Sequence, residues 1–144
     1  MSNISVDRID RIKRYWKAAA DQDHDTIGEL AAKDIFRSGP LMSKIDDVHG
    51  REKYCDYVRK IQSHLTAYRN TTHNILASED GRRGYLHCTE WDGVGGTEME
   101  VPMVLVFDFD NTGLMTKIDI FWTNTADPDM YKGFVEFLSR FHSV

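Results

Sequence analysis

The stretch Val101 to Thr123, VPMVLVFDFDNTGLMTKIDIFWT, carries the longest β signal in the chain and decides its fold. Alternating apolar residues on either side of Asp110-Asn111-Thr112-Gly113 read as two long strands joined by a tight loop. Antiparallel pairing across that loop sets Phe109 opposite Leu114, Leu105 opposite Ile118, Met103 opposite Ile120 and Val101 opposite Trp122. One face then carries Val101, Met103, Leu105, Phe107, Phe109, Ile118, Ile120 and Trp122, interrupted by Thr116. The other mixes Pro102, Val104, Val106 and Phe121 with Asp108, Lys117 and Asp119. A sheet that needs cover on its apolar face, preceded by helices able to supply it, is an α+β plan.

Working outward, the residues before this hairpin supply that cover. From Val6 to Ala20 the positions Ile9, Ile12, Trp16 and Ala19 recur at helical spacing. The acidic break Asp21-Gln22-Asp23-His24-Asp25 ends this helix. Asp25 or Thr26 caps a second one running to about Ala32, Thr26 and Glu29 having capping-box spacing. Ile35-Phe36-Arg37 reads as a short strand before the turn Ser38-Gly39-Pro40. After a loop over 41–49, Gly50 opens a third helix with Tyr54, Tyr57, Val58, Ile61 and Leu65 on one face. Strands follow over 71–78 and 85–91, with turns at Glu79-Asp80-Gly81 and Asp92-Gly93-Val94-Gly95-Gly96. Asp127-Pro128 then caps a fourth, apolar helix through Met130 or Tyr131, Phe134, Phe137 or Leu138, and Phe141.

Composition sets the outer bounds. The 144 residues suit one domain with a substantial core, and 41% hydrophobic with 28% charged residues is a soluble-protein composition without a membrane-length apolar run. The net charge of -5, with no basic cluster beyond Arg82-Arg83, lacks the footprint of a nucleic-acid binder. The polar start MSNISVDRID has no signal-peptide core, which implies a cytoplasmic location. Cys55 and Cys88 share no short spacing and read as buried free thiols. The six histidines show no metal-ligand spacing, so neither a metal nor any other cofactor is expected.

The order of elements, the pattern His49-Gly50-Arg51-Glu52 opening the third helix, and the apolar strand ending in Phe121-Trp122 resemble the nuclear-transport-factor-2-like superfamily and its SnoaL-like members, over roughly residues 6–125. The resemblance implies a cystatin-like cone: a curved antiparallel sheet wrapped around three N-terminal helices, plus a C-terminal helix, forming one domain over 1–144 with an apolar pocket. It also implies a homodimer through the outer sheet face.

Set against the enzymes of the superfamily, the chain matches in places. Ketosteroid isomerases carry a catalytic tyrosine where Tyr15 stands, but their base falls at Gly39, before Pro40, and their second acid near Leu105. Limonene-epoxide hydrolases pair two aspartates with an arginine; the corresponding strand here reads Glu90-Trp91-Asp92, and Ile120 takes the second aspartate position, leaving Asp119 on the outer face. Scytalone dehydratases place an aspartate and a histidine where Asp21 and His73 stand, with Phe36 at a tyrosine position.

Two functional readings follow. In one, the pocket takes a small apolar or aromatic organic molecule and the protein is a cofactor-free isomerase, dehydratase or cyclase. Its acid/base chemistry then runs through His73, Asp21 and Tyr15, between walls of Trp16, Met103, Leu105, Ile118, Ile120 and Trp122. His87 joins these walls if the turn at Asp92 to Gly96 keeps the strand register. In the other, the fold is a non-catalytic ligand-binding or dimeric assembly module.

Overall fold

A computed structural model of the chain describes residues 1–40, 46–123 and positions 129, 132, 133, 135 and 136. Helix α1 spans Asn3–Asp21. It starts three residues before the expected Val6 because the Ser2 hydroxyl accepts the Ser5 N–H at 3.0 Å. It stops at Gln22, whose left-handed backbone turns its N–H onto the Ala18 and Ala19 carbonyls. Helix α2 spans His24–Leu30, and its cap is Asp23 rather than Asp25 or Thr26. The Asp23 carboxylate accepts both the N–H and the hydroxyl of Thr26, at 3.1 and 2.6 Å. The chain becomes extended at Ala31, so Ala31 and Ala32 begin strand β1, Ala31–Ser38. The two-residue strand β2, Val48–His49, precedes helix α3, Arg51–His64.

Four long strands complete the described fold: β3 over Ala67–Ala77, β4 over Arg83–Val94, β5 over Thr97–Phe109 and β6 over Met115–Trp122. They join β1 and β2 in one sheet of order β2-β1-β6-β5-β4-β3. The pair β1–β6 is parallel and the others antiparallel, so the curved sheet is mixed, not purely antiparallel as expected. This is the α+β cone. The apolar positions proposed for the fourth helix lie outside the described residues; Asp129, Lys132, Gly133, Val135 and Glu136 within it are helical.

The hairpin keeps its expected faces in a register two residues removed from the expected one. Leu105 pairs with Ile120, Met103 with Trp122 and Phe107 with Ile118. The loop is wider because Asp110 organises it: one carboxylate oxygen accepts the Thr112 N–H, the Thr112 hydroxyl and the Leu114 N–H, at 2.9, 2.6 and 3.0 Å. Leu114 is thereby held in the loop, and a register shift after Asp108 absorbs the difference. A shift of two preserves side-chain direction, whereas a shift of one inverts it.

A second departure matters more. The glycine-rich segment is not all turn: β4 continues through Asp92 to Val94, Asp92 pairing with Met99 and Val94 with Thr97. Only Gly95 and Gly96 take the positive φ of the turn, at 58° and 83°. Gly93 serves close packing, since a Cβ there would stand 2.8 Å from Thr66 Oγ1 and 2.9 Å from the Ala67 nitrogen.

The concave face packs on α1, with Ile12, Trp16, Leu86, Leu105, Phe107 and Ile118 all buried. One end of the cone is closed by Arg8, itself 7% exposed. Its Nε donates to the Gly81 carbonyl at 2.9 Å, its Nη2 to the Asp110 carbonyl at 3.4 Å, and its guanidinium lies over the Phe109 ring. None of the described helices is long and apolar enough to cross a membrane.

Asp110→Ala frees three donors of one loop together. The expected cost is about 1–2 kcal/mol, read as a lower urea midpoint with an unchanged far-ultraviolet spectrum. An unchanged midpoint would remove Asp110 as the organiser of the hairpin register.

Candidate active site

The concave face, α1 and α3 border a partly open cavity of about 90 Å³. Its walls are apolar and aromatic: Trp16 from α1, Tyr57 and Ile61 from α3, Met103 and Leu105 from β5, and Ile120 and Trp122 from β6. The polar groups reaching it include Glu90, Asp92, Tyr68, Arg37, Tyr15 and Tyr54. A small set of polar groups in an otherwise apolar concavity is the usual form of a small-molecule site.

Glu90 and Asp92 are there because of strand parity. Along β4, Gly84, Leu86, Cys88, Glu90 and Asp92 share the inner face. Gly84 lies where α1 covers that face, and a Cβ there would sit 2.5 Å from Ile12 Cδ1. The aromatic residues of β4, Tyr85 and Trp91, take the outer face instead.

Asp92 is 5% exposed. Burial, and then the charge and hydrogen bond of Glu90, push its pKa up to about 9. Glu90 is raised as well, chiefly by burial, while hydrogen bonds from Tyr68 and Asp92 and the Arg37 charge act the other way. The hydrogen bond that joins the two carboxyls therefore holds a proton between them at neutral pH, with Asp92 its principal holder. Tyr68, paired with Asp92 across the β3–β4 ladder, donates its hydroxyl hydrogen to Glu90 Oε2 at 2.9 Å. Asn70 Nδ2 in turn donates to the Tyr68 oxygen at 3.3 Å and to the Trp16 carbonyl at 3.1 Å, tying this chain of bonds to α1.

On the same cavity, the hydroxyls of Tyr15 and Tyr54 lie 2.7 Å apart. Burial raises both, Tyr15 to about 12, so both are neutral phenols. Two hydroxyls bonded to each other use one hydrogen between them, which leaves the other for a guest. Arg37, from the inner face of β1, donates through Nη1 to the Asp46 carbonyl at 2.7 Å and to Tyr57 Oη at 3.1 Å, with its guanidinium 4.6 Å from the Tyr57 ring centroid. Burial opposes its charge; Tyr57, Tyr54 and Asp46 more than offset that.

The structure separates the residues singled out from sequence. Tyr15, Trp16, Met103, Leu105, Ile120 and Trp122 line the cavity. Ile118 is fully buried in the core beneath the wall. His73 and His87 are exposed on the outer sheet face, their rings 4.8 Å apart, with His73 Nε2 2.7 Å from Thr89 Oγ1. β3 begins at Ala67, not Thr71, so His73 stands in mid-strand where the β3–β4 register shifts. Asp21 is exposed at the end of α1 and pairs with Lys17. Asp119 faces outward with Lys117, their charged atoms 3.4 Å apart. Sequence reasoning missed Glu90, Asp92, Arg37, Tyr54 and Tyr68 as the polar set. The signal available was the parity of Leu86 and Cys88, which the two acids continue. Among the described residues, His, Cys, Asp and Glu nowhere gather into a metal-ligand set of three.

A mixed-sheet cone with an acid pair in an apolar hollow defines a class of pocket proteins, and the comparisons name the family within it. The SnoaL-like domain profile matches residues 12–118, and the chain belongs to that family. The fold is similar to an LEH-like epoxide hydrolase of Mycobacterium tuberculosis, 18% identical with a TM-score of 0.73 over 91% of this chain and 86% of that one. It is similar to Bal32a, from a soil-derived mobile gene cassette, at 22% identity and a TM-score of 0.77 over 85% and 93% of the two chains. A third similar structure is SalBIII, an epoxide hydrolase/cyclase-like enzyme of pyran ring formation in salinomycin, at 18% identity and 0.71 over 82% and 92%. No curated protein matches the chain in sequence.

The acid pair makes stability depend on pH. The folded chain holds the Asp92 proton up to about pH 9, while the unfolded chain releases it near 3.8, so the folded state binds more protons between those values. Stability therefore falls as pH rises through that window. Asp92→Asn keeps the donor to Glu90 without the ionisation. It is expected to flatten the dependence and to stabilise the protein at pH 8 by on the order of 2 kcal/mol, several degrees in melting temperature. Melting curves at pH 5 and pH 8 check this.

Proposed function

We propose that the protein is a cofactor-independent acid/base enzyme that isomerises or cyclises a small apolar organic molecule in this cavity. The observation that carries the reading is the Glu90–Asp92 pair, two hydrogen-bonded carboxyls side by side on one cavity wall, with Asp92 held neutral by burial and by Glu90. Glu90 takes a proton from the substrate. The Tyr15–Tyr54 pair is the neutral donor for the oxygen on which negative charge grows, and Asp92, whose hydrogen Glu90 no longer accepts once it has taken the substrate proton, protonates a departing or opening oxygen. The epoxide hydrolase and cyclase among the similar folds support an acid/base reading in kind, through fold alone. Of the three residues first assigned the chemistry, only Tyr15 keeps a role; Asp21 and His73 stand outside the cavity.

The test is turnover of a panel of unsaturated ketones and hydroxy-epoxides in D₂O, with products and deuterium uptake read by mass spectrometry. Glu90→Gln is expected to lower kcat by about 10²- to 10⁴-fold. The wild-type rate should also decline above about pH 9, as Asp92 loses its proton. Turnover equal in wild type, Glu90→Gln and Asp92→Asn would sink the reading.

The working unit is proposed to be a homodimer through the outer sheet face. Leu76, Tyr85 and Phe121 are exposed there at 57, 40 and 47%, beside the ion pairs Arg83–Asp108 and Lys117–Asp119. An apolar patch flanked by both signs of charge is self-complementary about a twofold axis. Sedimentation should show a dimer that Phe121→Glu converts to a monomer, and a monomeric wild type would refute it.

A further inference from the structure

The cavity holds one polar group that the acid/base chemistry does not use. Arg37 is 7% exposed, and the Asp46 charge acts on it from beside Gly39, where Asp46 and Arg37 Nη1 approach the same point. Both hydrogens of Nη1 are committed, to the Asp46 carbonyl and to Tyr57 Oη. The ring of Tyr57 lies 4.6 Å from the guanidinium carbon. These contacts fix the plane of the group. Among the described residues no acceptor takes the hydrogens of Nε or Nη2, and neither nitrogen is among the sealed atoms left without a partner. Arg37 is among the residues that line the cavity, so a guest molecule there is the available partner for that edge.

A guanidinium edge with Nε and Nη2 both open matches a planar carboxylate through two parallel hydrogen bonds. We propose that this edge is the anchor for a carboxylate on the substrate, which makes the substrate an apolar carboxylic acid bound by its charged end. The proposal rests on reading the cavity as a small-molecule site, and it adds the class of molecule. Charge selects a carboxylate over a phosphate. The Asp46 charge already acts on Arg37, and one cation cannot also balance a dianion in so apolar a hollow. The proton held on Asp92 limits the negative charge of the acid pair and so the repulsion of the incoming anion. Arg37 is thus a binding residue, and the reacting carbon lies elsewhere on the ligand, within reach of Glu90.

The test uses matched probes on the full chain at pH 7: 4-phenylbutanoate and indole-3-butanoate, each against its primary amide, by titration calorimetry. Wild type is expected to bind the acids at least tenfold tighter than the amides. Arg37→Gln should bring that ratio below twofold. Arg37→Lys, which keeps the charge and loses the fork, should leave it between the two. Acids and amides bound alike by wild type, no binding of either acid, or a tenfold preference surviving in Arg37→Gln would each overturn the proposal. The wild-type comparison does not depend on any variant folding. Glu90→Gln separates this proposal from the catalytic one. Acid preference retained with turnover insensitive to Glu90 leaves the anchor standing and removes the chemistry. Loss of turnover in Glu90→Gln, with no acid preference in wild type, does the reverse.

Discussion

Everything in this fold depends on one sheet face being kept dry. Side chains alternate along β4, β5 and β6, so a single choice of direction at one position commits every other position of the ladder. The glycine at 84 lies on the covered face, where a Cβ would meet Ile12 Cδ1 at 2.5 Å and the Phe109 ring at 3.2 Å. From there the direction propagates to Leu86 and Cys88, then to Leu105 and Ile120, and finally to the two acids. The apolar wall and the acid pair are therefore one feature, reached by following the same strand past the end of its helix cover.

That continuity explains the electrostatics. Where α1 covers β4 the inner positions are apolar and fully buried. Where the helix ends, the same face borders a hollow, and residues pointing there meet neither water in bulk nor a packed neighbour. A carboxyl in such a place stays neutral unless it finds donors, and two of them together cannot both ionise. Tyr68 and Asn70 supply a bonded path from the acids to the α1 backbone, so the pair is held by the same helix that closes the core. The arrangement costs stability at neutral pH, which is common where a site serves function rather than folding.

Much of the fold was legible because its signals are periodic. The stripe from Tyr54 to Leu65 and the alternation from Val101 to Phe109 identify α3 and β5 without tertiary knowledge. Register was less legible, because it turns on Asp110 drawing three donors inward, which is side-chain chemistry rather than periodicity. The site was least legible. Asp92-Gly93-Val94-Gly95-Gly96 has the composition of a turn, yet Gly93 is needed for the approach of Ala67, so the strand runs on and carries Asp92 inside. The aromatic residues Tyr85 and Trp91 made the wrong face of β4 resemble a pocket wall. His73 stood out as the best acid/base group by type, but its direction is set by a local irregularity that the sequence does not announce.

Arg8 gives the two ends of the cone different mechanical characters. By bonding the turn at Gly81 and the loop at Asp110 to the first helix, it joins three segments far apart in the chain at the end away from the hollow. Opening that end requires breaking both attachments together, which makes it a cooperative event. The cavity lies away from those ties, among Tyr57, Ile61 and Trp122. The molecule thus keeps the fastening of its first helix and the space for a guest at separate places, so that filling the one leaves the other untouched.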